Sequence, residues 1–136
     1  MISDEDIKAF DETNSYYSMD RPTKSSVTDM VMSFMQKAEQ EPDKDLYFRL
    51  VLEESDEWFR AESDAEELKE LADLVYVIYG YAISNGWDLD EAIRRVHDNN
   101  IGRMTQPDGT IRRRLDGKIE KNQHYPKVDL SDLLGE

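Results

Sequence analysis

The sequence predicts an all-α protein, an antiparallel bundle of about four to five helices that ends in a small C-terminal loop or hairpin. Apolar residues recur three and four positions apart over most of residues 26–103, which is the spacing of one face of an α-helix. The β-prone runs are confined to the tail, where they flank the pairs Asp108-Gly109 and Asp116-Gly117, a typical hairpin signal. Tight turns between the helices make consecutive helices antiparallel neighbours.

Residues 1–25 are acidic and poorly patterned, and we treat them as an N-terminal arm that precedes one domain, residues 26–136. Either Ser3 caps a short helix through Phe10, or the segment is a partly ordered arm. The first helix of this domain runs from Ser26 to Gln40. The segment Glu41-Pro42-Asp43 ends it and begins a second helix, which should reach about Glu62.

Ser63 and Glu66 form a capping box that begins the third helix. The stretch Leu74–Ile83 could pass for a strand, but the helical pattern continues unbroken from Leu68 and no turn signal intervenes. Because this stretch is apolar on all sides, we expect a buried central helix that ends at Asn85-Gly86.

A fourth helix begins at Asp88 or Asp90, and its spacing predicts that Ile93, Val96 and Ile101 point inward. The closing VDLSDLLGE favours a last short helix.

Composition bounds the function. With 136 residues the chain should form one domain with a real core, and a net charge of −14 argues against indiscriminate binding to nucleic acid. The absence of cysteine excludes disulfides and thiolate chemistry. We find no signal-peptide pattern, and the longest apolar run is shorter than the roughly 20 residues that span a membrane. We therefore expect a cytoplasmic protein without membrane contact.

Five acids on the second and third helices are candidates for a functional site. Glu53, Glu54 and Glu57 share a face of the second helix, and Glu70 and Asp73 share a face of the third. Apolar neighbours place them at the border of the core, where converging carboxylates repel one another unless a cation holds them. Mg²⁺ and Mn²⁺ prefer such oxygen ligands, so we predict a metal-assisted reaction on a phosphate.

The tail of this acidic chain is rich in cations. They form either a solvated face that balances charge elsewhere or a clamp for phosphate oxygens. The six are Arg112, Arg113, Arg114, Lys118, Lys121 and Lys127.

The order Glu53-Glu54-x-x-Glu57, then Glu70-x-x-Asp73, resembles the EExxE…ExxD signature of the all-α nucleoside triphosphate pyrophosphohydrolases. That group includes the MazG-like enzymes, the dimeric dUTPases and phosphoribosyl-ATP pyrophosphohydrolase. The element His97-x-x-Asn100-x-x-Arg103 and the closing DGKIEKNQHYPKVDL resemble the phage and bacterial MazG-like branch. The resemblance covers roughly residues 26–130.

The resemblance implies a site for one Mg²⁺ or Mn²⁺ ion, or for two or more. Glu54, Glu57, Glu70 and Asp73 would hold the metal, while Glu53 would bind a further ion or serve as the catalytic group that orients the attacking water. The positions that contact nucleotide in relatives are Asn100, Arg103, Lys118, Lys121 and Tyr125. Arg103 stands where Lys is usual, so a bidentate fork replaces a point charge.

The implied reaction is Mg-dependent hydrolysis of the α–β phosphoanhydride of (deoxy)nucleoside triphosphates, with a purine such as dGTP or GTP as the first expectation. The products would be the monophosphate and pyrophosphate. The alternatives are a dUTPase-like or phosphoribosyl-ATP-specific member of the same superfamily, or a non-enzymatic acidic interaction protein. The location implied is a bacterial cytoplasm, including that of a phage-infected cell.

We also expect a homodimer or a tetramer built from dimers. The relatives form such assemblies, and the apolar stripes of these helices are too wide for one short chain to bury.

Overall fold

The computed structural model describes residues 26–134, so the predicted arm, residues 1–25, lies outside the described residues. The described range contains four α-helices and a short 3-10 helix, and no β-strand. They are α1 (Val27–Ala38), α2 (Lys44–Arg60), α3 (Asp64–Ser84), α4 (Leu89–Arg103) and the 3-10 helix Ser131–Leu133. The prediction of an all-α bundle is confirmed. No helix in residues 26–134 is long and apolar enough to cross a membrane.

Each α-helix begins after a residue whose side-chain oxygen accepts a hydrogen bond from the backbone N–H three positions later. These caps are Ser26, Asp43, Ser63 and Asp88. At Ser63 the capping box differs slightly from the predicted pattern, because the Glu66 carboxylate accepts from the N–H of Glu62, at 3.1 Å, rather than from that of Ser63. Local capping thus sets where the two acid-bearing helices α2 and α3 begin.

The core lies where α3 packs against both α1 and α2. Val31, Met35, Tyr47 and Tyr79 form its buried cluster. The Tyr47 hydroxyl donates to Sδ of Met35 at 3.3 Å, and Gly80 allows the close approach, since a Cβ there would lie 3.2 Å from the Tyr47 ring. Helices α2 and α3 make the larger contact; the short turn at residues 61–63 joins them and makes them antiparallel neighbours, which brings their acid-bearing stretches together.

Helix α4 departs from the prediction that Ile93, Val96 and Ile101 point into the core. All three are exposed, Ile101 at 56%, and α4 contains no buried residue. Its attachment is near its start, where the Tyr79 hydroxyl donates to Oδ1 of Asp90 at 2.8 Å. Helical spacing shows which residues share a face, but only a packing partner buries that face, and residues 26–134 provide none for this face of α4.

The tail forms the predicted small hairpin in a minimal form. A single antiparallel bridge joins Arg113 to Ile119, and the Asp116-Gly117 turn closes it with a hydrogen bond from the Gly117 N–H to the Arg114 carbonyl at 2.9 Å. The predicted last helix is the single 3-10 turn Ser131–Leu133.

Candidate metal and substrate site

Three of the five predicted acids come together between α2 and α3. Glu54 and Glu57 lie one turn apart on α2, and Glu70 lies opposite them on α3. Each offers a carboxylate oxygen, and these oxygens all lie within 4.8 Å of one another. Such a group of oxygens could hold a divalent cation.

The cluster is poorly satisfied by the protein itself. Oε2 of Glu54 and Oε2 of Glu70 are buried, and neither has a hydrogen-bond partner among the described residues. A buried polar atom without a partner is costly, and a buried charge more so. Within the described residues, these two oxygens are therefore left for a proton or a bound cation.

The pKa values of Glu54 and Glu57 also indicate that ionisation of the cluster is unfavourable without a cation. Burial raises the pKa of Glu54 to about 7, and the negative charges of Glu57 and Asp73 add to the rise. Hydrogen bonding to the Glu70 carboxyl, with burial, raises the pKa of Glu57. A divalent cation would reverse both shifts, because it favours the ionised carboxylates.

The other two acids are placed differently. Asp73 lies near enough to act on Glu54, but its Oδ2 accepts from the Lys69 ammonium at 2.8 Å. The same ammonium lies 3.4 Å from Oε1 of Glu70, and these partners raise the pKa of Lys69. Glu53 is exposed and contributes no oxygen to the three-carboxylate cluster. Metal binding by Asp73 and the catalytic role of Glu53 stay predictions.

The six cations of the tail divide by residue type. Arg112 pairs with Asp108 at 2.7 Å, Arg114 pairs with Asp116, and Arg113 donates to the Gly117 carbonyl at 2.9 Å. The arginines therefore brace the two Asp-Gly turns. The three lysines form no ion pair within residues 26–134; they are Lys118, Lys121 and Lys127.

Three of the predicted substrate residues line one cavity at the end of α4. Its volume is about 300 Å³, with Asn100, Lys118 and Lys121 beside an apolar floor that includes Ile101 and Ile119. The cavity combines an amide and two ammonium groups with an apolar surface. That chemistry suits an anion with a less polar body.

The remaining two predicted substrate residues border the last turn of α4. Nε of Arg103 is buried and has no hydrogen-bond partner among the described residues. The Tyr125 ring lies on Gly102, which the sequence analysis did not single out. A glycine inside the last turn of a helix was the available signal, because glycine there often marks a close approach.

A family model described as phosphoribosyl-ATP pyrophosphohydrolase matches residues 24–100, more than half of the chain. The chain belongs to this family. The family is part of the MazG-like all-α superfamily, so the resemblance drawn from the acidic motifs is confirmed. A comparison with curated proteins gives no match. The matched residues of the phosphoribosyl-ATP pyrophosphohydrolase family include both acid-bearing helices and end before the lysine-bearing tail.

Family membership supports pyrophosphohydrolase activity on nucleotides, and enzymes of this family typically depend on a divalent metal ion. The cluster of Glu54, Glu57 and Glu70 is the place among the described residues where three acids could hold such an ion.

Proposed function

We propose that the chain hydrolyses (deoxy)nucleoside triphosphates between the α and β phosphates, with Mg²⁺ or Mn²⁺, to the monophosphate and pyrophosphate. A purine substrate such as dGTP or GTP is the first to test. The observation that supports the proposal is the cluster of Glu54, Glu57 and Glu70, in which two buried carboxylate oxygens have no partner in the described residues. A phosphate-bound divalent ion matches that charge and that oxygen chemistry.

The residues present fit a metal ion, since carboxylate oxygens are preferred ligands of Mg²⁺ and Mn²⁺ and two of them are buried with no partner in residues 26–134. When bound, such an ion lowers the pKa of water and stabilises charge on phosphate oxygens. Glu54, Glu57 and Glu70 would hold it. Asp73 would join them after leaving the Lys69 ammonium, and the exposed Glu53 would accept a proton from the attacking water or hold a further ion.

The cations of the tail would bind the polyphosphate. Lys118 and Lys121 have ammonium groups that form no ion pair with the described acids, and Asn100 lines the same cavity. Hydrogen bonds between an ammonium and a phosphate oxygen are about twice as strong as neutral ones. Nε of Arg103, which has no hydrogen-bond partner in the described part of the chain, would be a further donor to the substrate.

Phosphoribosyl-ATP is the second candidate substrate. The observation in its favour is the description of the matching family. It contains the same α–β phosphoanhydride, so the acid cluster would serve both substrates in the same way.

The test is a panel of ribo- and deoxyribonucleoside triphosphates and phosphoribosyl-ATP, each with Mg²⁺ or Mn²⁺ and products identified by mass spectrometry. Hydrolysis in heavy-oxygen water locates the attack: label in the monophosphate indicates attack at the α phosphorus. Glu54→Gln should abolish turnover, whereas Glu62→Gln, an exposed acid outside the cluster, is the matched control.

Label in the pyrophosphate would contradict attack at the α phosphorus. Absence of turnover with either ion across the panel would contradict the enzymatic proposal and favour an acidic interaction protein.

The proposal includes a homodimer or a tetramer built from dimers. Phe48, Leu52 and Phe59 form an exposed stripe on α2, because they lie four and then seven positions apart. Phe59 is 84% exposed within one chain. An unpartnered apolar stripe of this kind is typical of a face that another protein surface covers.

Helix α3 has a matching stripe of Leu68, Leu71, Val75 and Ile78, all exposed. Phe48 and Ile78 line one apolar groove of about 220 Å³ between the two helices. Because α2 and α3 run antiparallel, the two stripes lie side by side. Together they support a second copy of this chain as the partner.

A further inference from the structure

Residues 118–132, here called the C-terminal strap, run back along α4 in the direction opposite to the helix. Gln106, just after α4, donates through Nε2 to the Glu120 carbonyl at 2.8 Å. Near the start of α4, Arg95 donates to the Asp132 carboxylate at 2.6 Å. The strap is therefore attached to α4 at both ends.

Between these ends, amide groups hold the strap. The Asn99 side chain donates to the Pro126 carbonyl at 2.8 Å. Asn122 donates its backbone N–H to the Arg103 carbonyl at 2.8 Å and its side-chain amide to the Thr105 carbonyl at 3.1 Å. The hydrogen bonds of the side-chain amides are exposed, and water competes with them. They therefore determine where the strap runs but add little to its rigidity.

One contact in the middle of the strap is different in kind. The Tyr125 ring lies directly on Gly102: a Cβ at Gly102 would come within 2.3 Å of Cζ and 2.4 Å of Oη. Any other residue at this position would displace the ring. Since glycine weakens a helix relative to alanine, this close approach explains its presence in the last turn of α4.

Neither member of this contact lines the cavity that contains the two lysines, but each is close along the chain to a residue that does. Tyr125 closes the turn that follows Lys121, because its N–H donates to the Asn122 carbonyl at 3.3 Å. Asn100, on the other side of the cavity, lies two residues before Gly102. The ring on the glycine therefore sets the separation of α4 and the strap at the level of Asn100 and Lys121.

We propose that Gly102 and Tyr125 are positioning residues for polyphosphate binding, which hold Lys118 and Lys121 across the cavity from Asn100. This inference rests on the proposed function. Tyr125 acts by packing on Gly102 and not by contact with the nucleotide. Polyphosphate oxygens have a set spacing, so binding depends on the separation of the donors. A misplacement on the order of 1 Å can reduce a rate by up to about 100-fold.

The first measurement is the affinity of the full-length Gly102→Ala variant for inorganic tripolyphosphate, which has no base or sugar. The alanine methyl displaces the ring, so we expect an affinity about tenfold lower than that of the wild type. The KM of the best triphosphate substrate should rise by a similar factor while kcat changes less than about twofold. Hydrogen exchange in residues 118–126 should become faster, because the strap is held less tightly.

Val96→Ala is the matched control, since Val96 is an exposed residue of the same helix outside the strap contacts. Tyr125→Ala removes the ring and should weaken tripolyphosphate binding as Gly102→Ala does. In the Gly102→Ala/Tyr125→Ala double variant the methyl meets no ring, so its affinity should equal that of Tyr125→Ala alone.

Three results would overturn the inference: additive losses in the double variant, unchanged exchange in residues 118–126, and wild-type tripolyphosphate affinity in Gly102→Ala. None of them depends on turnover. A wild-type protein that hydrolyses no nucleotide would instead contradict the proposed function, while the exchange data would still decide whether the contact holds the strap.

Discussion

Glu54 lies where three unfavourable effects meet. Its side chain is partly buried on α2, its Oε2 has no partner among the described residues, and the charges of Glu57 and Asp73 lie nearby. A proton or a cation relieves all three. The ionisation of this one carboxyl therefore links pH, metal binding and stability.

The pH dependence of the metal-free protein follows from the pKa of Glu54. Folding raises it from 4.5 to about 7, so between these values the folded protein holds a proton that the unfolded chain has released. This contribution to stability is complete below pH 4.5 and is lost as the pH rises through about 7. Denaturant unfolding in a metal chelator should therefore show stability falling between about pH 5 and pH 7.5, and Glu54→Gln should reduce that slope.

Glu57, whose pKa is also raised, contributes in the same direction, whereas the acids whose pKa values are lowered act outside this range. The pKa values of Glu91 and Asp108 are lowered to about 2, so they affect stability only in more acidic solution. Glu62→Gln should leave the slope as in the wild type. Equal slopes in the wild type and Glu54→Gln would show that Glu54 does not titrate in this range.

The spacing of the acids predicted part of this site. Positions three apart on a helix share a face, so the pairing of Glu54 with Glu57 could be derived from the sequence. That Glu70 would complete the cluster while Asp73 pairs with Lys69 could not be derived, because Asp73 lies three positions from Glu70 and four from Lys69 on α3, so both the cluster and the lysine are within its reach. Spacing along a helix cannot decide between two such partners.

At the scale of elements, the arginines and the lysines of the tail differ in their contacts. The arginines bond to groups within the tail, whereas the lysines form no ion pair with the described acids. Lys118→Ala should raise the KM for the triphosphate about tenfold or more, because a hydrogen bond to a charged group contributes about 1.5–3 kcal/mol. Arg112→Ala breaks an exposed pair with Asp108 and should change KM far less. Steady-state kinetics with both variants measure the contrast.

Lys37→Ala, which removes the same charge from α1, is the control for net charge. Helix content should be unchanged in all three variants. A wild-type KM in Lys118→Ala would show that Lys118 is a solvated surface charge and does not bind the substrate.

The helix boundaries were predictable because they depend on local chemistry. Ser26, Asp43, Ser63 and Asp88 each cap the helix that follows through a side-chain oxygen. The strap was not predictable, since it is held by single amides and one ring at positions without periodicity. The prediction that one face of α4 points inward was wrong. Burial of that face depends on a packing partner, which the sequence of the helix by itself does not reveal.

At the scale of the whole molecule, the exposed stripes of α2 and α3 predict self-association. Light scattering at several concentrations should give at least twice the mass of one chain for the wild type. Phe59→Asp should shift the mass toward one chain, because it places a charge in the proposed contact while disturbing little within the chain. Each chain has a net charge of −14, so salt should strengthen the association by screening the repulsion.

Phe34→Asp is the control, because Phe34 is an exposed phenylalanine of α1 outside both stripes. A wild-type protein that is monomeric at every concentration and salt would contradict the prediction, and the stripes would then need another partner.

Lys69 has a consequence for how the site meets its metal. Its ammonium already neutralises part of the charge on Asp73 and Glu70, as an internal counter-ion four and one positions away on α3. If a divalent ion binds there as proposed, its entry would be an exchange rather than a simple addition, because the tethered ammonium of Lys69 would leave as the divalent ion takes its place. The displaced Lys69 ammonium would stay close because it is tethered to α3, so it would lower the affinity of the site for the metal ion. When the metal ion leaves, the ammonium would return to the carboxylates.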